Sequence, residues 1–189
     1  MIYKNWAKAG GAIALFILVR VFLLQNQGGS HLHILCWLNL AFLMLHQFEE
    51  YVFPGGFKDF FNKNIYGKNP IIRNELNDKG AFYINVTLAW STYLIAALSA
   101  DPLFLAVLAS VNLTNGFLHS ILAIVHKKYN PGFATGFFLF IPFSVYIFSL
   151  LVKENVVSGN DWIGIAATTI IGSLSIPFIL YLTGKSNES

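Results

Sequence analysis

Charged residues are scarce in this chain of 189 residues: Asp, Glu, Lys and Arg make up 11% of it, against 56% hydrophobic residues. A soluble domain carries about 25% charged residues, and no polar stretch here is long enough to form one. Long apolar segments instead repeat along the chain, as is typical of a polytopic helical membrane protein. We therefore expect residues 1–189 to form a single all-α transmembrane domain.

Cysteine is equally rare, with Cys36 alone inside an apolar run. A single thiol excludes a disulfide framework, so we expect Cys36 to be a small packing residue. The net charge of +3 comes from basic residues scattered over several loops. This composition predicts membrane lipids as partners and no nucleic acid, and it leaves the oligomeric state open.

Six segments are long enough to cross about 30 Å of hydrocarbon at 1.5 Å per residue. The predicted spans are residues 6–25, 31–53, 80–100, 102–126, 132–152 and 161–183. Between the second and third spans, Phe57, Phe60, Phe61 and Ile65 recur at helical spacing among charged residues. This spacing predicts a short helix in the membrane interface, acting as an anchor or as a lid.

The basic residues predict which side of the membrane each end of the chain occupies. Among the 12 Lys and Arg residues, Arg20 lies within the first span and Lys153 in a loop on one side. All the others fall on the opposite side: Lys4, Lys8, Lys58, Lys63, Lys68, Arg73, Lys79, Lys127, Lys128 and Lys185. Because Lys and Arg accumulate in cytoplasmic loops, we predict that both termini are cytoplasmic.

Ionisable residues interrupt the second span. His46, Glu49 and Glu50 stand at positions i, i+3 and i+4 and share one helix face. An ionised Glu at the centre of a membrane helix costs about 2.5–3.5 kcal/mol on insertion scales. Two adjacent carboxylates also repel, so we expect a cation or a shared proton between them. Intramembrane ionisable residues of this kind indicate a functional site.

Polar residues of two other spans lie at a similar depth. His46 stands eight residues before Pro54 and His119 eight residues before Lys127, each about 12 Å along the helix, and Asn85 lies at a comparable depth. Glu50 and His126 form a second layer nearer the cytoplasm. The predicted site therefore lies between the second, third and fourth spans. The alternative is that some of these groups only form interhelical hydrogen bonds or reach towards water.

The residue types predict metal or acid–base chemistry. Glu and His at these spacings on bundle helices can hold one Zn²⁺ or a di-iron or di-manganese pair. The predicted metal ligands are His46, Glu49, Glu50, His119 and His126. Without a metal, the same groups form a Glu–His acid–base pair. We expect catalytic roles for His46, Glu49, Glu50, Asn115 and His119, with Asn115 and Asn85 orienting the others.

The two glutamates are not expected to be equivalent. Consecutive side chains diverge by about 100° around a helix, so only one carboxylate can point along the His46 axis. One of the pair Glu49 and Glu50 is predicted to bind a metal or act as a base. The other is predicted to support it or to hold a shared proton.

Three short motifs occur in a fixed order: His46-Gln47-Phe48-Glu49-Glu50, then Asn115-x-x-x-His119, then Tyr129-x-Pro131-Gly132. Together they resemble the HXXEE-domain membrane proteins, a mainly bacterial family, over about residues 31–150. This resemblance implies a location in the bacterial inner membrane. It implies no particular reaction.

A looser similarity connects the Glu-Glu pair with the membrane-embedded CAAX-protease-like families, although the Arg that follows the pair in those families has no counterpart here. It implies that Glu activates a water while His and Asn stabilise the oxyanion. We therefore expect a membrane enzyme that hydrolyses a lipid, an isoprenoid or a membrane peptide. Three alternatives remain: a proton-coupled carrier using Glu49 and Glu50, a di-metal lipid oxidoreductase, and a non-catalytic accessory protein.

Overall fold

The computed structural model describes residues 2–26, 28, 30–66, 68, 71–72 and 74–185, so Arg73 lies outside the described residues. Within those ranges all the regular structure is helical. Six helices are long and apolar enough to cross a membrane, which confirms the predicted six-span architecture.

The helices are α1 (Ile2–Asn26), α2 (His31–Tyr51), α3 (Phe57–Asn64), α4 (Asp78–Ser99), α5 (Pro102–His126), α6 (Phe133–Lys153) and α7 (Gly159–Lys185). All except α3 are candidate membrane spans, and α3 is the predicted short helix between the second and third spans. Asp101 caps the N-terminus of α5, because its carboxylate accepts a hydrogen bond from the Phe104 backbone N–H at 2.7 Å.

Two of the spans contain π-helical segments, Tyr83–Trp90 in α4 and Gly136–Phe140 in α6. The second segment begins where α6 meets α5: a Cβ on Gly116 would stand 2.7 Å from the Gly136 carbonyl oxygen. Only a glycine allows this approach, which brings the neighbouring Asn115 and His119 up to the start of α6. Such π segments are frequent at functional sites, and apolar periodicity does not predict them.

The interior differs between the two ends of the bundle. At the end far from α3, the buried residues are apolar and include Leu35, Cys36, Leu105, Ile147 and Leu151. Cys36 is thus a packing residue, as expected. At the end near α3, the buried residues of α2 and α5 include His and Glu side chains.

Helix α3 lies against the polar end of the bundle. Its Phe61 is buried, and the ring of Phe57 stands 5.4 Å from the His119 ring and 6.0 Å from the Tyr51 ring. Lys58 Nζ pairs with Asp78 Oδ1 at 2.5 Å, which ties α3 to the start of α4. The amphipathic segment is therefore packed over the His/Glu region.

Candidate functional site

Three buried side chains from two helices converge on one point. Glu50 Oε1 lies 3.3 Å from His119 Nε2 and 3.6 Å from His46 Nε2. One potential ligand atom from each residue falls within 4.8 Å of the others. The predicted proximity of α2 and α5 at this depth is therefore confirmed, and the structure brings His46, Glu50 and His119 together.

Glu49 points elsewhere and holds the start of α6. Its Oε1 accepts hydrogen bonds from the backbone N–H groups of Gly132 and Ala134, both at 3.0 Å, and from the Tyr129 hydroxyl. Its Oε2 accepts from the Thr135 backbone N–H at 2.7 Å and from the Thr135 hydroxyl at 2.5 Å. A carboxylate at the N-terminus of a helix satisfies backbone donors that have no partner within the helix.

Tyr129, in the loop between α5 and α6, remains a donor to Glu49. Partial burial raises the pKa of its phenol, and the hydrogen bond to the Glu49 carboxylate and the charge of that group raise it further. The phenol therefore stays protonated at physiological pH. Tyr129 thereby ties the loop to α2.

Thr135 connects Glu49 to His46 and determines which nitrogen of the His46 imidazole carries the proton. The single hydroxyl proton of Thr135 is donated to Glu49 Oε2, so its oxygen accepts from His46 Nδ1 at 2.8 Å. Nδ1 then carries the proton and Nε2 keeps a lone pair. Nε2 is the nitrogen that faces Glu50, and it accepts a hydrogen bond from Asn115 Nδ2 at 3.1 Å.

His119 is enclosed by rings and by the loop before α6. Its ring stands 4.9 Å from the His46 ring at 87°. Its Nδ1 is buried without a hydrogen-bond partner among the described residues, and so is the Oδ1 of Asn130. The two residues are in contact, because Asn130 Nδ2 donates to the His119 backbone oxygen at 3.3 Å.

Gly132 occupies the space between the two imidazoles and the loop. A Cβ at this position would stand 2.5 Å from His119 Cε1 and 2.8 Å from His46 Cε1, and the glycine has a φ of +99°. Both the conformation and the space exclude a side chain. The Tyr-x-Pro-Gly motif therefore has a physical explanation: Tyr129 and Gly132 bind Glu49, and Gly132 permits contact with both rings.

Asn85 forms no direct hydrogen bond with His46, Glu50 or His119, and its partners are Gln47, Tyr51 and the Ala81 backbone oxygen. Gln47 Nε2 donates to Asn85 Oδ1 at 3.0 Å, and Trp90 Nε1 donates to Gln47 Oε1 at 2.5 Å. Asn85 thus faces Gln47 and Tyr51 of α2, the Tyr51 hydroxyl lying 3.4 Å from its Nδ2. The polar side chains around the cluster come from α2, α5 and the start of α6, Phe57 of α3 packs on His119, and α4 supplies the polar network of Asn85 and Trp90.

His126 and Glu49, both predicted as metal ligands, are placed apart from the ligand group. The His126 ring contacts the Phe60 ring edge-on at 5.7 Å, and Glu49 is occupied by the start of α6. Sequence reasoning also missed Thr135. Its signal was modest: a hydroxyl residue in the first turn of a span, three positions after the glycine of a recognised motif.

Comparison with known proteins agrees with the motifs that form this site. The profile of a family described as "Protein of unknown function with HXXEE motif" matches residues 37–147, which include the motif on α2, Asn115, His119 and the loop before α6. No curated protein and no solved structure matches the chain. The match extends over more than half of the sequence, and the chain belongs to the HXXEE family.

Proposed function

We propose that the protein is a membrane-embedded metal-dependent hydrolase in which His46, Glu50 and His119 hold one zinc ion. The contacts of one Glu50 oxygen with both imidazoles carry this proposal. Ligands about 2.0–2.1 Å from a tetrahedral zinc stand about 3.3–3.4 Å apart, and the contacts of Glu50 Oε1 with the two imidazoles measure 3.3 and 3.6 Å. Three protein ligands leave a fourth position for water, as catalytic zinc sites require.

The surroundings of His46 also fit a metal ligand. A ligating histidine usually donates its other ring N–H to a partner that fixes the tautomer. Thr135, itself held by Glu49, is that partner for His46. For His119 the unpaired Oδ1 of Asn130 is an acceptor on a contacting residue.

The chemistry would be hydrolysis of a lipid, isoprenoid or membrane-peptide linkage. A zinc ion held by His46, Glu50 and His119 would supply an activated water and polarise the substrate carbonyl. The water oxygen bonds to the carbonyl carbon, the bond to the leaving atom breaks, and the water proton passes to the leaving group. Glu50 Oε2, the oxygen that does not face the imidazoles, would carry that proton. With His46 holding the metal, Asn115 Nδ2 would donate to the developing oxyanion.

The donor set favours this function over a two-metal oxidase. Di-iron and di-manganese sites in helical bundles use four carboxylates together with two histidines. Here the ligand group among the described residues contains one carboxylate, that of Glu50. Glu49 already accepts five hydrogen bonds.

The restriction of the buried ionisable residues to one end of the bundle argues against a carrier. Beyond the cluster, Asn112 Nδ2 donates to Asn39 Oδ1 at 2.7 Å, and the Tyr93 hydroxyl donates to Asn112 Oδ1 at 2.6 Å. These polar side chains largely satisfy one another. Towards the far end the described interior becomes the apolar cluster around Leu35 and Leu105. A proton or ion crossing the membrane would have to traverse that apolar layer.

Elemental analysis of the purified protein tests the metal directly. We expect about one zinc per chain after reconstitution and washing. Stoichiometric iron would favour oxidation instead, and no bound metal would overturn the proposal. Incubation with lipids in nanodiscs, followed by mass spectrometry of the products, then tests hydrolysis with Glu50→Gln as the inactive control.

Thr135→Val is expected to weaken zinc affinity roughly 10–100-fold, the usual effect of losing a partner that orients a ligand. Valine keeps the shape of threonine but cannot accept the hydrogen bond from His46 Nδ1–H. Thr135→Ser retains the hydroxyl and should restore most of the affinity. The measurement is a competition titration with a chromophoric chelator. Equal affinities for the valine and serine variants would contradict the role of the hydroxyl.

We also propose that the protein resides in a bacterial inner membrane with both termini in the cytoplasm. In a Cys36→Ala background, a cysteine replacing Lys68 should resist a membrane-impermeant maleimide in intact bacteria. A cysteine replacing Asn160 should react. Both positions are exposed, so accessibility differs only by side. The reverse labelling pattern would invert the orientation.

A further inference from the structure

A cavity lies at the end of the bundle that carries α3, and its lining residue Tyr129 contacts Glu49 beside the His/Glu cluster. It has a volume of about 270 Å³, several times the roughly 30 Å³ of a liquid water, and is lined by Asp59, Phe60, Lys63, Asn64, His126, Lys128 and Tyr129. We call it the α3–α5 cavity. It lies where α5 ends, and the ends of membrane spans meet the lipid headgroups.

The charges of this cavity favour an anion. Among the described residues, neither Lys63 nor Lys128 forms an ion pair, and Asp59 is the one carboxylate in the lining. The neighbouring cavity that Lys4, Lys58, Asp59 and Asp78 line differs, because two carboxylates balance its two ammonium groups and Lys58 Nζ lies 2.5 Å from Asp78 Oδ1. The α3–α5 cavity therefore combines two ammonium groups, without ion-pair partners in the described part of the chain, with one imidazole and one carboxylate.

The surface next to the cavity favours a ligand with a hydrocarbon chain. Ile121, Ile124 and Val125 of α5 are 54%, 74% and 66% exposed, and they belong to the same membrane span that ends at His126. A lipid whose headgroup reached Lys128 could lay its chain along these residues. A free phosphate would gain nothing from them.

The cavity is also connected to the cluster. Tyr129 lines it, and the same hydroxyl donates to Glu49, which is linked through Thr135 to His46. A ligand contacting Tyr129 thus stands one side chain away from the groups that position His46.

We propose that the α3–α5 cavity binds the phosphate of an anionic membrane lipid and that this lipid is the substrate of the His/Glu site. Lys63 and Lys128 would pair with phosphate oxygens, which ammonium groups bind as point charges. The assignment of the lipid as substrate rests on the proposed function. The binding itself does not, so it can be tested alone.

The experiment measures lipid retention by the full-length protein in nanodiscs containing phosphatidate diluted into phosphatidylcholine. The wild-type protein should retain phosphatidate preferentially, and the Lys63→Gln/Lys128→Gln double variant should do so at least tenfold less, because both contacts with the phosphate oxygens are lost. The matched control is Lys8→Gln/Lys68→Gln. It removes the same charge from exposed positions outside the cavity and should behave as wild type.

Each other outcome has a definite meaning. Equal losses in the two double variants would reduce the effect to general surface charge and overturn the proposal, as would a wild-type protein without preference for phosphatidate. Competition by inorganic phosphate as strong as that by the lipid would assign the cavity to a soluble anion instead.

The Glu50→Gln variant separates this inference from the proposed function. It should retain phosphatidate normally while losing metal and hydrolysis. If the wild-type protein bound phosphatidate but neither metal nor products were found, the proposed hydrolase would fail and the binding site would stand. If metal and hydrolysis were found without lipid preference, the binding site would fail alone.

Discussion

Glu50→Gln should abolish zinc binding and leave the fold intact, whereas Glu49→Gln should destabilise the fold. Glu50 contacts two imidazoles and has no Lys or Arg partner among the described residues. Glutamine keeps its shape but loses the anionic ligand, so we expect less than a tenth of the wild-type zinc. Removing a buried, uncompensated charge should leave the metal-free protein as stable as wild type or slightly more so.

Glu49→Gln should lower the stability of the fold, because Glu49 accepts hydrogen bonds from backbone N–H groups and a hydroxyl group. A glutamine amide would present its own N–H to at least one of them, leaving a buried donor unsatisfied. Hydrogen bonds to charged groups contribute about 1.5–3 kcal/mol each, so we expect roughly 3 kcal/mol of lost stability. Zinc content by elemental analysis and thermal unfolding by circular dichroism give the two measurements. Similar behaviour of the two variants would contradict the separation of roles.

Gly132→Ala should remove both the metal and much of the stability. The new methyl group would stand 2.5 Å from His119 Cε1 and 2.7 Å from its Nδ1, so both imidazoles or the loop must move. We expect a loss of folding stability of roughly 1–3 kcal/mol from overpacking. Placing alanine in the left-handed backbone conformation should cost about 1–2 kcal/mol more.

Gly56→Ala is the matched control for that substitution. Gly56 has a φ of +93°, close to the +99° of Gly132, but nothing lies within 4 Å of the position that a methyl group would take there. The variant should therefore show the backbone cost alone and keep its zinc. If the two alanine variants unfolded at the same temperature and bound zinc equally, close contact at Gly132 would not matter to the site.

The sequence predicts the bundle well because membrane burial leaves a strong signal. Apolar runs bounded by Pro, Gly and Asn give all six spans, and the alternation of phenylalanine and charge gives α3. The spacing of His46 and Glu50, with His119 at the matching depth of α5, gives the ligand group. It also predicts that Glu49 and Glu50 differ.

The other contacts of the site depend on the rotation of each helix about its axis and on the local backbone conformation. The depth of a residue in the membrane defines neither. Asn85 lies at a suitable depth, but α4 meets α2 through Gln47 and Tyr51. His126 lies about two helical turns beyond His119 and packs on Phe60. Thr135 acquires its role only because Gly116 lets α5 approach the π-helical part of α6. These contacts can be identified only from the packing of the helices in the folded structure.

The apolar layer at the far end of the bundle has an electrical consequence. A membrane potential acts across the insulating part of a protein and is worth about 2.3 kcal/mol per charge per 100 mV. Here that part is the cluster around Leu35, Leu105, Ile147 and Leu151, and the proposed site lies on the near side of it. With the termini in the cytoplasm, an anionic lipid or a zinc ion would reach His46 and His119 after crossing little of the field. Turnover should therefore stay constant when cells are energised or depolarised.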